Sequence, residues 1–214
     1  MTGGEARTVL QSFKPLQRKP FGKPLPGRDQ DDETRFLRSW LERPLVTGAV
    51  TPSGKMLART MASYVDPRLP GPIVELGPGT GPVTEALVRR GVAQDRLVLI
   101  EFNPEFCTLL RRRFPKATII RGDAYDIGAA LDGVVGEKAA ATVSSLPLLT
   151  KPIDQRLTLL DAAHRLMHPG APFIQFTYAV TPPIPTRSKS YTASGSNRVW
   201  LNLPPARVWV YRRP

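Results

Sequence analysis

One cysteine and two histidines are all that the 214-residue chain holds of those residue types. Cys107 alone cannot close an intramolecular disulfide, and together with His164 and His168 it forms no zinc-ligand pattern. Cys107, close to Leu109 and Leu110, reads as a packed helix residue, and the two histidines as structural residues or dipole partners near a helix end. No uninterrupted apolar run approaches the roughly 18 to 20 residues that cross a bilayer, and the opening MTGGEARTVL has no hydrophobic signal core. A disulfide scaffold, a metal centre and a membrane-spanning protein are all disfavoured. What is left is a cytoplasmic protein that could touch a membrane only from the side.

Acidic residues are scarce as well. Against 30 Lys and Arg stand 18 Asp and Glu, which gives a formal net charge of +12 and a pI near 10.4. The expected partner is therefore anionic, either nucleic-acid phosphates or an acidic membrane surface. The length fits one globular domain with appendages.

The first appendage, residues 1–30, is a basic tail in which KPLQRKPFGKPLPGR interrupts any regular period with prolines, so disorder is expected there. A helical segment over residues 31–66 follows. In DDETRFLRSWLER the residues Phe36, Leu37, Trp40 and Leu41 recur at helical spacing, while Arg35, Arg38, Ser39, Glu42 and Arg43 fall mainly on other faces. Such a helix can dock its apolar face on a core, or lie in lipid headgroups with Phe36 and Trp40 inserted. A second helix is predicted from Thr51 as N-cap and Pro52 as first helical residue, through Leu57 and Met61 toward Val65.

From residue 67 to 214 the pattern alternates. Strands are predicted at Ile73–Leu76, Arg96–Glu101, Thr118–Arg121, Ala140–Ser144 and Phe173–Tyr178, with helices at Val83–Arg90, Pro104–Phe114 and Ile153–Leu166. This is an α/β domain with a mostly parallel sheet covered on both faces. After Tyr178 comes the polar connection TPPIPTRSKSYTASGSN. Two strand-like runs in RVWLNLPPARVWVYRR, joined around Pro204 and Pro205, then predict a hairpin that closes the sheet edge.

The chemistry gathers where the first strand turns into a helix, in VELGPGTG. Gly77, Gly79 and Gly81 remove side chains from a turn that a ligand could approach closely. Glu101 ends the next strand 20 residues beyond Gly81, the separation expected of a carboxylate that accepts hydrogen bonds from ribose hydroxyls. A dinucleotide site would want a further glycine where Pro82 stands. The run reads instead E-x-G-x-G-x-G, and Glu75 ahead of it can help to hold a cationic amino group. That favours S-adenosylmethionine over a nicotinamide cofactor. Asp123, in RGDAYD, is placed to accept from an adenine amine; Pro78, Phe102, Ala124, Ser144 and Leu146 complete the candidate cofactor contacts.

These residues resemble the class I methyltransferases over about residues 73–178. The resemblance implies a Rossmann-like seven-stranded sheet with an antiparallel C-terminal strand. Ribosomal RNA adenine dimethyltransferases share the glycine and acid motifs. Base-amine methylases, however, carry Asn or Asp, then Pro-Pro or Leu-Pro and an aromatic ring, after the fourth strand. Here Ser144-Ser145-Leu146-Pro147 has neither the amide nor the ring. With VELGPGTG, LVLIEFNPEF, RGDA, SSLPLL and NLPPARVWVYRR taken together, the chain from about Asp32 onward is similar to the soluble bacterial phospholipid N-methyltransferases.

That family uses S-adenosylmethionine, releases S-adenosylhomocysteine, and methylates phosphatidylethanolamine toward phosphatidylcholine. The resemblance implies that the helix carrying Arg35, Phe36, Arg38, Trp40, Leu41 and Arg43, helped by Arg18 and Lys19, binds an anionic membrane, at the inner face of the cell membrane. It makes nucleic acid a secondary partner and implies no metal. Tyr178 becomes the candidate for orienting the lipid nitrogen, and Tyr178 and Tyr191 for cation–π contact with the growing methylammonium. Arg187 and Lys189 could clamp the lipid phosphate or form a solvated charge cluster. A non-catalytic membrane-binding protein is the remaining alternative.

Overall fold

The computed structural model describes residues 52–202 and 204–214. The tail over residues 1–30 and the predicted membrane-contact residues Arg18, Lys19, Arg35, Phe36, Arg38, Trp40, Leu41 and Arg43 lie outside the described residues.

Among the described residues seven strands form one sheet: β1 (Ile73–Leu76), β2 (Leu97–Glu101), β3 (Thr118–Arg121), β4 (Ala141–Ser144), β5 (Pro172–Thr177), β6 (Thr192–Gly195) and β7 (Arg207–Arg212). Their order is β3-β2-β1-β4-β5-β7-β6, with β1 to β5 parallel and β7 antiparallel to both neighbours. Every residue of β1, β2, β4 and β5 is buried, which is why IVEL, LVLIE, ATVS and PFIQFT read as continuous rather than alternating apolar runs. The two edge strands are short and partly exposed, and β6, with the sequence TASG, has almost nothing to offer a core.

Helices α1 (Pro52–Ser63), α2 (Pro82–Arg89) and α3 (Pro104–Arg113) cover one face, and α4 (Ile127–Leu131) and α5 (Ile153–Leu166) the other. On the first face Leu57, Met61 and Val65 join Leu87, Leu110, Ile174 and Val208 in one apolar cluster. Thus α1, although it falls in the helical segment read as preceding the domain, packs on α2 and reaches β5 and β7. On the second face Leu159, Leu160 and Met167 meet Phe173, Trp209 and Tyr211. α3 starts where its sequence says it should: the Asn103 side chain accepts hydrogen bonds from the backbone N–H groups of Glu105 at 2.8 Å and Phe106 at 3.3 Å, Pro104 is its first residue, and Arg111 to Arg113 lie in its last turn.

The C-terminal hairpin differs from expectation. The run from Arg198 to Asn202 makes only an isolated bridge, Val199 to Ala206, and the strand that pairs with β7 is Thr192–Gly195, inside the stretch read as a polar connection. The backbone N–H of Asn202 bonds back to Val199 O at 3.2 Å, so the run curls into a turn where a strand was expected. β7, apolar through Val208 to Tyr211, takes the inner position and leaves the polar strand at the edge.

Candidate active site

Parallel strands deliver their carboxyl ends to one side of the sheet, and the connections reverse direction between β1 and β4. A crevice opens at such a switch point, and ligands of doubly wound sheets occupy it. Here its walls are the glycine loop after β1 and the segment after β4. The Ser145 N–H donates to Leu76 O at 2.9 Å, and Gly77 N–H donates to Ile100 O at 3.0 Å, which fastens both walls to the sheet.

The three glycines do different things. All have left-handed backbones, with φ of 65° at Gly77, 56° at Gly79 and 85° at Gly81. A Cβ at Gly77 would stand 3.0 Å from Leu146 Cδ2, and one at Gly79 would meet nothing within 4 Å among the described residues. Gly79 therefore borders open space, as a ligand-facing position should. Gly81 faces inward: a Cβ there would lie 2.7 Å from Phe114 Cε2 and 3.0 Å from Leu110 Cδ2. Its bareness admits α3, not a ligand, which corrects the expectation that all three glycines serve one purpose. Gly81→Ala should cost roughly 2 to 4 kcal/mol through clash plus left-handed strain, and Gly79→Ala only about 1 to 2 kcal/mol through strain. Urea unfolding of the two variants checks the difference; equal losses would contradict it.

Glu101, at the end of β2 and 7% exposed, anchors the loop. Its Oε2 accepts from Gly79 N–H at 3.0 Å and its Oε1 from Asn103 N–H at 2.8 Å. Each carboxylate oxygen keeps further lone-pair capacity for a hydroxyl donor. Phe102, next in sequence, is 76% exposed, an unusual placement for phenylalanine and one that offers a ring face at the mouth. Asp123 lies just beyond β3, exposed, with Oδ1 accepting from Tyr125 N–H at 2.9 Å, and Gly122 N–H ties that turn to Glu101 O at 3.1 Å. Pro78 and Ala124 are buried supports, the first accepting from Gly81 N–H at 2.9 Å.

Glu75 has no exposed surface and lies beneath the loop. Its Oε2 accepts from Thr84 Oγ1 at 2.7 Å, while Oε1 has no partner among the described residues. Burial pushes its carboxyl up to about 8, although the Thr84 hydroxyl opposes the rise. An orphaned buried oxygen of this kind is what an ordered water or a ligand's ammonium satisfies. Together, the open face at Gly79, the two acids at strand ends, the bared Phe102 ring and the unmatched Glu75 oxygen fit a nucleoside cofactor with a cationic amino group.

The segment after β4 is braced from β5. Ser144 is buried, and its Oγ accepts from Leu146 N–H at 3.4 Å; Gln175 Nε2 donates to Leu146 O at 3.0 Å. Sequence reading missed Gln175, although a lone amide inside the apolar run FIQF was the available signal. It also missed Tyr125 and Lys151, whose ring and ammonium stand 4.7 Å apart and join the loops after β3 and β4. Burial raises the Tyr125 phenol to about 12, so it stays protonated at neutral pH.

Tyr178 immediately follows β5 at the same carboxyl end, half-buried, with its ring 5.4 Å from Phe176. The other three substrate candidates are elsewhere. Tyr191 precedes Thr192, which is in register with Arg212 and, through it, with Pro172 at the opposite end of β5. The five intervening steps along β5 correspond to about 17 Å. Its ring is buried against Tyr211, and its hydroxyl donates to Pro185 O at 2.8 Å. Exposed Arg187 and Lys189 border a shallow hollow with Tyr191 and Thr192, and no residue of the glycine loop lines it. The connection after Tyr178 descends the sheet face, so adjacency in sequence does not bring these three to the crevice. Among the described residues no cluster of metal-binding side chains occurs, and no helix is long and apolar enough to cross a membrane.

This strand order, with one antiparallel strand inserted next to the edge, is the class I S-adenosylmethionine-dependent methyltransferase fold. The N-methyltransferase NodS of Bradyrhizobium japonicum, solved with S-adenosyl-L-homocysteine, superimposes with a TM-score of 0.59 at 14% identity, over 82% of this chain and 97% of that one. No family profile matches the chain. By sequence it is 29% identical over 145 residues to an ornithine lipid N-methyltransferase of Singulisphaera acidiphila, covering 66% of this chain and 76% of that protein. It is also 33% identical over 92 residues to ribosomal RNA small subunit methyltransferase A of a Synechococcus strain, a match to 42% of this chain and 30% of that protein.

Proposed function

We propose that this protein transfers methyl groups from S-adenosylmethionine to the amine of a membrane lipid, with phosphatidylethanolamine and its monomethyl and dimethyl forms as acceptors, toward phosphatidylcholine. The similarity to an ornithine lipid N-methyltransferase carries the reading, because it spans 66% of the chain where the ribosomal RNA enzyme matches 42%. The absence of a base-gripping amide and ring from Ser144-Ser145-Leu146-Pro147 supports the same choice.

When bound, the cofactor supplies an electrophilic methyl group on its sulfonium. Glu101 would hold the ribose hydroxyls, Asp123 the adenine amine, and Phe102 the face of the base, while Glu75 beneath the loop would answer the amino group. Leu146, half-buried over Gly77, would help to exclude water from the floor of the crevice. Tyr178, at the rim, would orient the neutral lipid nitrogen and face the product cation, a contact worth about 0.5 to 2 kcal/mol. Positioning, rather than acid–base chemistry, would supply most of the acceleration. The basic residues Arg18 and Lys19 and the segment with Phe36 and Trp40 would keep the protein at the inner membrane face, where its substrate resides.

Acceptor discrimination tests the reading. Offered labelled methyl donor with phosphatidylethanolamine vesicles, ornithine lipid vesicles or ribosomal RNA at matched salt, the protein should label the lipid amines. Label in RNA alone would overturn the proposal.

A further inference from the structure

The acids stop at Asp161: from Ala162 to Pro214 the chain has no Asp or Glu and seven Lys or Arg, of which Arg165 and Arg213 pair with Asp161 and Arg198 and Arg207 border the turn at the carboxyl end of the sheet. Within that basic stretch, three large apolar side chains are turned outward, Val180 at 75%, Trp200 at 73% and Leu201 at 71% exposure. All three belong to the carboxyl end of the sheet. Val180 follows Tyr178, and the turn carrying Trp200 and Leu201 is closed by the Val199–Ala206 bridge, one residue before Arg207, which is in register with Thr177 at the end of β5. Phe102 bares its ring at the carboxyl end of β2, four strand positions from β7. At about 4.8 Å per strand that is roughly 19 Å across the mouth.

The turn is built to present its tip. Val199 N–H donates to Ala206 O at 2.7 Å, Asn202 N–H to Val199 O at 3.2 Å, and the Asn202 side chain, 3% exposed, donates through Nδ2 to Pro204 O at 2.8 Å. The polar residue is inside and the tryptophan and leucine are outside, the reverse of what a free-standing turn in water favours. Arg198, half-buried, immediately precedes the turn, and Arg207, whose guanidinium lies 5.6 Å over the Trp209 ring, immediately follows it. Exposed Trp beside aliphatic side chains and arginines suits the headgroup layer of an anionic leaflet, where the ring sits at the interface and the cations meet lipid phosphates.

We infer that the turn carrying Trp200 and Leu201, with Val180, is a second membrane-docking element that seats the mouth of the crevice on an anionic lipid surface. A lipid amine then reaches Tyr178 without leaving its leaflet. The purpose of the element rests on the lipid-amine reading above, but its detection does not.

The test uses the full chain, wild type and W200S/L201S, with vesicles of phosphatidylethanolamine containing about one-third phosphatidylglycerol. Vesicle affinity in flotation should fall about tenfold in the variant, the loss expected for two partly inserted apolar side chains. Brominated lipid should quench wild-type fluorescence more than that of W200F. Methyl transfer should drop on vesicles yet be kept on a short-chain amino lipid below its micellar concentration, which a misfolded variant could not do. Unchanged flotation and equal quenching would overturn the inference even if lipid is methylated. Quenching and flotation that depend on Trp200, without any lipid methylation, would instead sink the lipid-amine reading. Retention on RNA but not on vesicles would replace the leaflet with nucleic acid and overturn the docking element.

Discussion

Glu101→Ala should weaken S-adenosylhomocysteine binding by two orders of magnitude or more. The wild-type carboxylate does two jobs at once. It holds Gly79 N–H and Asn103 N–H, at 3.0 and 2.8 Å, so the loop is shaped before any ligand arrives. It also has the capacity to accept from ribose hydroxyls. Each charge-assisted hydrogen bond is worth about 1.5 to 3 kcal/mol, and two of them lost amount to roughly 100-fold to 10,000-fold in affinity. Calorimetric titration measures the change, with circular dichroism to show that the variant is folded. Glu101→Gln keeps one acceptor oxygen and should fall between. Near-normal affinity in a folded Glu101→Ala would show that the ribose position is misplaced.

Glu75→Gln should have a large effect of opposite character, on stability and its pH dependence. In the folded protein burial raises the Glu75 carboxyl from an ordinary 4.5 to about 8. The folded state therefore keeps a proton that the unfolded chain releases, and stability falls as pH rises between those values and levels off above them. The full cost reaches up to about 5 kcal/mol at pH 8 and above. The glutamine variant cannot ionise, so the difference between variant and wild type isolates this one group from Asp66, Glu85 and Asp161. Those three are held below their usual range by arginine partners and act in the opposite, acidic direction. Denaturant melts should show Glu75→Gln gaining on wild type from pH 4.5 to 8.5. Parallel curves would mean that Glu75 is ionised in the apo protein.

What the sequence reveals and what it hides follow from the range of the forces involved. The strand–loop–helix framework after β1 is legible because its signals are local. A glycine turn after a buried strand and an acid at the next strand end have fixed spacings, and Ile73–Leu76 and Thr118–Arg121 match their predicted bounds. The path of the chain after β5 is not. Arg187, Lys189 and Tyr191 stand close to Tyr178 in sequence, yet the chain runs down the sheet face between them, a path set by Ile184 bonding to the Tyr211 hydroxyl. β6 was hidden because an edge strand needs no apolar side chains, only a partner with free backbone groups. Gly81 looks like its two neighbours until α3 is laid beside it, and α4, five residues long, is too short for any periodicity to show.

The location of the methyl donor underlies the proposed chemistry, and a crystal structure of the protein with S-adenosylhomocysteine tests it most directly. The expected result is ribose hydroxyls within hydrogen-bond distance of Glu101, adenine between Phe102 and Asp123, and the homocysteine chain over Gly79. A ligand bound away from the carboxyl ends of β1 and β2, or seated there with Glu101 still satisfied only by Gly79 and Asn103, would contradict it.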